Sequence, residues 1–305
     1  MQTKYLNVEK INESIKKDAK KFVDSCEESY RKQLEEVSND ILSRKKQVRV
    51  VLLGGPSCAG KTTSSRILDE LMTAKGKNVV PIEMDNFFIS LEERPRLPNG
   101  SRDFDSINIV NLDLMEKCLT ELFEKGKAMF PTYDFVEGKS IPDSELIEGD
   151  KDTIFVFEGI HVLNPKLIKK LGTKNIYKIF INNANGYVCG DTKIESRQFR
   201  MVRRMVRDVQ FRAVSMANTM KHWKDVTDAE DLYIWPYSED VDFTINTSHA
   251  YEVNLYKPDV IDAIKKDEID VDNLPWFKVF EKVESLDKNL LPETTLMKEF
   301  VSFDD

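Results

Sequence analysis

Residues 48–63 read VRVVLLGGPSCAGKTT, and this stretch decides the fold of the chain. An apolar, β-branched run leads into a glycine-rich turn, and residues 64–72 after it are compatible with a helix. Gly55, Gly60, Lys61 and Thr62 have the spacing of the G-x-x-x-x-G-K-[ST] phosphate loop, which joins a strand to a helix. The stretch therefore predicts a binding site for a nucleoside triphosphate.

The residue types of this loop are suited to binding phosphate groups. Glycines let successive backbone N–H groups turn inward, and the start of the following helix adds its own donors and its dipole. Lys61 can reach the β- and γ-phosphates, and the Thr62 hydroxyl can ligate Mg²⁺. We expect ATP with Mg²⁺ to bind here, with GTP left open as the donor. The nucleotide-binding residues are Gly55, Pro56, Ser57, Cys58, Ala59, Gly60, Lys61, Thr62 and Thr63.

The composition limits the classes of protein to which this chain could belong. The chain has 305 residues, 41% hydrophobic and 32% charged, with a formal charge of -8, which suits a sizeable core and not a nucleic-acid binder. No apolar run approaches the ~20 residues of a membrane span, and no signal-peptide core is present. Four cysteines without a C-x-x-C pair indicate reduced thiols. We expect a cytoplasmic protein that binds neither nucleic acid nor membranes.

Three segments follow from the pattern along the chain. Residues 1–46 form a helical extension, 47–257 a P-loop kinase domain, and 258–305 an acidic helical tail packed on that domain. The extension carries one apolar stripe with a break indicated at residues 38–40. That stripe packs either on its own core or on another subunit of a homo-oligomer.

Strands and helices alternate after the phosphate loop. Strands are predicted at 78–84, 153–157, 176–181 and 241–246, helices at 109–125 and 195–221, and an irregular segment at 131–135. This alternation predicts an α/β fold with a parallel sheet and right-handed crossovers. In such sheets ligands bind beyond the carboxyl ends of the strands.

Two carboxylates lie at those strand ends. Asp85 could accept the proton of an acceptor hydroxyl or hold Mg²⁺ through water, and the alternative is a turn or helix-capping aspartate. Glu158 closes a buried strand, where a carboxylate is costly unless it is paired or near a metal. A role at Mg²⁺ and a structural ion pair both remain open for Glu158. His161, His222 and His249 fall in no ligand pattern.

Four arginines share one flank of the predicted helix at 195–221. Their guanidinium groups repel one another unless an anion lies among them, and a polyphosphate is the natural anion. The alternative is a solvated helix face neutralised by Glu195 and Asp208. The arginines are Arg200, Arg203, Arg204 and Arg207.

Taken in order, several short motifs resemble the P-loop kinases of the phosphoribulokinase/uridine kinase family, and most of all its bacterial-type, uridine kinase-like subgroup. The resemblance runs from about residue 48 to 257. It rests on residues 54–63 (GGPSCAGKTT), 84–88 (MDNFF), 104–105 (FD), 131–135 (PTYDF), 157–160 (FEGI) and 203–208 (RRMVRD).

This resemblance implies a five-stranded parallel sheet flanked by helices, with an arginine-rich helical lid. It implies transfer of the γ-phosphoryl group of ATP to the 5′-hydroxyl of a nucleoside, with Asp85, Lys61 and Arg203 as catalytic residues. Thr62, Asp85 and Glu158 would form the metal site. Arg203, Arg204 and Arg207 would cover the phosphates. The acceptor would be bound by Asp85, Asp105, Arg200, Tyr133 and Phe87 or Phe88, of which Asp105 and Arg200 hold the ribose.

One departure concerns the acceptor. Pyrimidine nucleoside kinases carry a base-reading histidine after Tyr-Asp-Phe, and here Gly138 stands at that place. Since polar groups supply large specificity ratios, the preferred base is left open. The alternatives are a kinase of another small alcohol, such as a sugar phosphate bound by Arg96 or Arg102 or a vitamin precursor, and a nucleotide-binding regulator. A switch GTPase is the least favoured reading because no N-K-x-D segment is present.

Overall fold

The computed structural model describes residues 3–97, 100, 102–172 and 175–303. In chain order the strands are β1 Lys4–Asn7, β2 Val50–Gly54, β3 Val79–Glu83, β4 Lys127–Asp134, β5 Lys139–Glu148, β6 Ile154–Gly159, β7 Ile176–Asn182, β8 Asn185–Cys189, β9 Thr192–Ile194 and β10 Phe243–Asn246. The α-helices are α1 Val8–Ser43, α2 Lys61–Thr73, α3 Leu112–Lys125, α4 Pro165–Lys170, α5 Ser196–Phe211, α6 Met216–Tyr233, α7 Glu252–Leu255, α8 Lys257–Lys266 and α9 Phe277–Lys282.

A five-stranded parallel sheet in the order β10-β7-β2-β6-β3 forms the centre of the protein. Every residue of β2 is buried, as its continuous apolar sequence predicts for a central parallel strand. The register places Glu158 opposite Leu53 on one side and Glu83 on the other. The phosphate loop, Glu158 and Asp85 therefore follow three adjacent strands at one edge of the sheet, and the predicted fold is confirmed.

Helix α1 packs on the core of its own chain. Val23, Leu34 and Val37 are fully buried in the same hydrophobic cluster as β2. The break predicted at residues 38–40 was wrong, because the helix is interrupted at Asp18, whose φ is -166° and ψ is 90°. The Asp18 carboxylate accepts a hydrogen bond from the Lys21 amide, so it caps the second part of the helix.

The single helix predicted at 195–221 was also wrong, since α5 ends at Phe211 and α6 begins at Met216. Ala213 takes a φ of 52°, which no helix can continue, and the Val214 amide turns back to the Asp208 carbonyl. The Ser215 hydroxyl then accepts the Asn218 amide and caps α6. The break lets the two helices pack against each other over the phosphate-loop side of the sheet.

The prediction of an irregular segment at 131–135 was wrong for residues 131–134, which belong to β4 and pair with β5 in an antiparallel hairpin. A bulge between Phe130 and Thr132 accommodates Pro131, which has no amide for the ladder. A second small sheet, β1-β8-β9, joins the chain's start to the loop before α5.

The tail forms α8, α9 and short turns, with Phe277 and Phe280 buried in the core shared with α1. The division into three segments stays a prediction. None of the helices in the described ranges combines the length and apolarity that a bilayer crossing needs.

Candidate active site

The phosphate loop lies between β2 and α2. Gly60 adopts a left-handed φ of 87°, which glycine takes without strain, and a Cβ there would lie only 2.5 Å from Leu296 Cδ1. Within the described residues, the amides of Gly60, Lys61 and Thr62 donate to no protein acceptor. The Lys61 ammonium donates to the Pro56 carbonyl at 3.1 Å. The loop thus presents unpaired N–H groups and a lysine at one point, as an anion site requires.

Two carboxylates border this loop. The Thr62 hydroxyl donates to Glu158 Oε1 at 2.9 Å, and a Cβ added to Gly159 would lie 3.6 Å from Asp85 Oδ1. Burial raises the pKa of Asp85 to about 6 against the opposing charge of Lys61. Burial likewise raises the pKa of Glu158 to about 7, and the Asp85 charge adds to that increase. Both groups are thus poised to change protonation near neutral pH.

This donor set fits Mg²⁺. The ion prefers oxygen ligands and is usually held by one or two carboxylates together with waters and substrate phosphates. Thr62, Asp85 and Glu158 supply a hydroxyl and two carboxylates, and burial raises the pKa of both carboxyl groups although Lys61 opposes the rise. In the described chain no cluster of three or more histidine, cysteine or acidic side chains forms a metal cage by itself.

Arg200 and Arg203 of α5 lie behind the phosphate loop. Arg200 donates to Glu230 and to the Ser57 carbonyl, and Arg203 donates to Glu252 and to the Cys58 carbonyl. Their side chains are 1% and 0% exposed. Because the carbonyls of the loop point at these arginines, its amides are free to face the other side. The contacts of Arg200 with ribose and of Arg203 with phosphate stay predictions.

The other two arginines lie nearer the surface. Arg204 approaches the Ser57 hydroxyl at 3.4 Å and Asp208 at 3.5 Å, and Arg207 pairs with Asp208 at 2.6 Å. Their guanidinium groups thus gather around one carboxylate next to the loop. Their role over the ATP phosphates stays a prediction that this position suits.

A cavity of about 640 Å³ is lined by Leu97, by residues 102–106 and by side chains of helices α5 and α6. Asp105 lines it, and burial raises the pKa of this carboxyl while Arg204 opposes the rise. Arg212 also lines the cavity, and its charge lowers the pKa of Asp85. Predicted residues Asp85 and Tyr133 are not among the lining side chains.

An aromatic cluster borders the same loop. The guanidinium of Arg94 lies 5.2 to 5.3 Å from the ring centres of Phe88, Phe104 and Tyr133, and it donates to the Tyr133 hydroxyl at 2.8 Å. Of the two phenylalanines left open, Phe88 contacts Tyr133, whereas Phe87 is fully buried against Phe130. Arg94 was not predicted from the sequence, because no local sequence pattern identifies an arginine that contacts three aromatic rings from different segments of the chain.

Gly138 lies in the hairpin turn between β4 and β5 with a φ of 66°. Its carbonyl accepts the Leu91 amide at 2.7 Å, and a Cβ at 138 would lie 3.0 Å from Leu91 Cβ. A side chain at this place would strain the turn and meet Leu91, so the absence of a histidine there has a local structural reason.

His161 is one further residue whose place was not predicted. It is buried beside the backbone of Asp105 and Ser106, and its ring meets the edge of Tyr233, which lines the cavity. Burial lowers its pKa to about 4, so the imidazole is neutral at pH 7. The signal available was its position directly after Phe-Glu-Gly-Ile.

Comparisons with known proteins agree with this geometry. A family model described as the phosphoribulokinase/uridine kinase family matches residues 50–254. Uridine kinase of Saccharomyces cerevisiae is 27% identical over 212 residues, covering 68% of this chain and 38% of the yeast protein. Uridine kinase of Mycoplasma genitalium is 26% identical over 212 residues, covering 69% and 91%. A solved structure described as a possible uridine kinase from Bacillus stearothermophilus shares the fold, with a TM-score of 0.50, 16% identity and coverage of 71% and 98%.

Proposed function

The chain belongs to the phosphoribulokinase/uridine kinase family, and from that premise we propose that it transfers the γ-phosphoryl group of ATP to the 5′-hydroxyl of a nucleoside. The observation that carries the proposal is the cavity of about 640 Å³, which is lined by Asp105 and by Arg204, whose guanidinium approaches the Ser57 hydroxyl of the phosphate loop at 3.4 Å. A cavity of this size holds a ligand as large as a nucleoside.

Each step of the transfer has a residue for it. Asp85 would take the proton of the 5′-hydroxyl, because its carboxylate lies beside Lys61 and its pKa of about 6 leaves it ionised at pH 7. Lys61 and the amides of the phosphate loop would hold the transferred group in place. A Mg²⁺ ion bound by Thr62, Asp85 and Glu158 would supply neutralisation of phosphate charge.

The two arginines considered for a substrate phosphate, Arg96 and Arg102, both bind carbonyls of their own loop. Arg102 donates to the backbone carbonyls of Glu92 and Arg94, and Arg96 donates to the Gly100 carbonyl. Both arginines therefore stabilise their own loop, and Arg102 also lines the cavity together with Arg204 and Arg212. A sugar phosphate could bind to those cations, whereas ribose hydroxyls are suited to the carboxylate of Asp105.

A panel of acceptors tests the proposal. Uridine, cytidine, adenosine, their 2′-deoxy forms, ribulose 5-phosphate and pantothenate would each be incubated with ATP and Mg²⁺ and examined by mass spectrometry. We expect a nucleoside 5′-monophosphate. Product from a non-nucleoside alone would overturn the nucleoside assignment, and no product with any acceptor would argue against transfer chemistry.

Activity should fall as the pH falls. The pKa of Asp85 is raised to about 6 and that of Glu158 to about 7, so both gain a proton between pH 7 and 5. A protonated Asp85 cannot accept the hydroxyl proton, and therefore kcat/KM should drop about tenfold per pH unit below pH 6. The positive charges of Lys61, Arg94 and Arg212 lower the pKa of Asp85, whereas the negative charge of Glu83 raises it. A pH–rate profile that is flat from pH 8 to 5 would contradict the prediction.

A further inference from the structure

The end of the chain covers the start of helix α2. Residues 295–301 lie outside the part matched by the family model, yet Leu296, Met297 and Phe300 are fully buried. Leu296 packs directly on Gly60 of the phosphate loop, where it would be 2.5 Å from an added Cβ. This C-terminal segment (residues 295–301) therefore forms one wall of the nucleotide site.

Glu299 of this segment binds a donor that belongs to the phosphate loop. The amides of residues 60–63 are four successive donors at the start of α2. Among the described residues three of them have no protein acceptor, but the Thr63 amide donates to Glu299 Oε1 at 2.6 Å. The half-buried carboxylate also acts on the charges of Arg207 and Glu158, so it faces the same site.

The segment holds Glu299 in this position through contacts on both sides. Thr295 donates to Glu27 of α1 at 2.5 Å, and the Tyr256 hydroxyl donates to the Met297 sulfur at 3.2 Å. The ring of Phe300 lies 5.0 Å from the guanidinium carbon of Arg203. Because the flanking residues are fixed, the Glu299 carboxylate is a built feature of the site and not a mobile surface charge.

We propose that Glu299 sets the affinity for the donor nucleotide by competing with its phosphate chain for the Thr63 amide. A phosphate that binds at the start of α2 finds the Thr63 amide already bonded to the Glu299 carboxylate. It must either displace this carboxylate or bind close to its negative charge. The competition rests on the proposed function only in that ATP phosphates bind the phosphate loop. It affects ligands that carry phosphate and leaves the binding of base and ribose alone.

Isothermal titration of the variant Glu299→Gln tests this. Gln keeps the shape of the side chain and removes its charge. A hydrogen bond to a charged group changes an equilibrium constant by roughly ten- to a hundredfold. We therefore expect ATP and inorganic tripolyphosphate to bind to this variant at least ~10-fold more tightly. Adenosine, which has no phosphate, should bind as it does to the wild type. Glu293→Gln removes the same charge from an exposed position of the tail and should change neither affinity.

Equal or weaker binding of tripolyphosphate by Glu299→Gln would overturn the proposal and make Glu299 a structural cap of α2. Thermal unfolding of each variant checks that it is folded, and Glu299→Ala, which also frees the amide, should bind tripolyphosphate more tightly too. These titrations contain no acceptor, so a failed nucleoside assignment would leave them unaffected. Failure of the wild type and of both Glu299 variants to bind tripolyphosphate would contradict the competition itself.

Discussion

Replacing Asp85 by asparagine is expected to lower kcat by at least ~10²-fold and to leave ATP binding nearly unchanged. The carboxylate adjoins the end of β6, and its pKa of about 6 makes it an ionised base at neutral pH. Asparagine has the same shape but cannot accept a proton. The phosphate loop, which binds the triphosphate through Lys61 and backbone amides, would be intact.

Steady-state kinetics and ATP titration of the same preparation measure both parts of this expectation. Asp113→Asn is the matched control, since its side chain is 94% exposed on α3 and pairs with Lys170 away from the site. The control should keep wild-type kcat. Near-normal turnover of Asp85→Asn would remove Asp85 as the base, and a large loss of ATP affinity would assign it chiefly to nucleotide and metal binding.

The sequence was sufficient for the parts of the site that are local. A strand, the phosphate loop and a helix lie within 24 residues, and Asp85 and Glu158 each lie at the carboxyl end of a predicted strand. Parallel strands bring such ends to the same edge of a sheet, so their proximity follows from the fold class alone. That is why the sheet and the grouping of Lys61, Asp85 and Glu158 could be predicted.

The features of the structure that could not be predicted depend on contacts between residues that are far apart in the sequence. The spacing of the arginines identified one flank of α5 but not the acidic partners, because Glu230 and Glu252 lie 30 and 49 residues further along the chain. The helical spacing of residues continued across residue 213. The sequence pattern therefore did not indicate the left-handed turn that separates α5 from α6. The hairpin was missed for a related reason, since a proline in β4 disguised a strand that a bulge tolerates.

Replacing Arg203 by methionine is expected to destabilise the protein by ~3–5 kcal/mol. Arg203 and Glu252 are both fully buried and joined by two hydrogen bonds of 2.7 and 2.6 Å. The His249 amide and the Tyr256 hydroxyl complete the shell around Glu252. Methionine would leave this carboxylate buried without a cation, and the loss of that partner accounts for the expected size of the effect.

Urea unfolding followed by circular dichroism measures the change. Arg197→Met is the matched control, because Arg197 lies on the same helix and pairs with Asp231 at the surface, where such a pair contributes only about 0–1 kcal/mol. Equal losses in Arg203→Met and Arg197→Met would show that the buried pair does not hold the structure. A clear difference would assign the loss to burial of the unpaired carboxylate.

The double variant Arg203→Met with Glu252→Leu separates stability from the shape of the site. With both charges replaced by apolar groups, much of the lost stability should return. Both the single and the double variant should bind tripolyphosphate more weakly than the wild type, because Arg203 also donates to the Cys58 carbonyl and to Thr247, and methionine cannot replace those bonds. The amides of the phosphate loop point inward only while its carbonyls are held from behind. Recovery of stability and binding together would mean that the loop keeps its shape without Arg203.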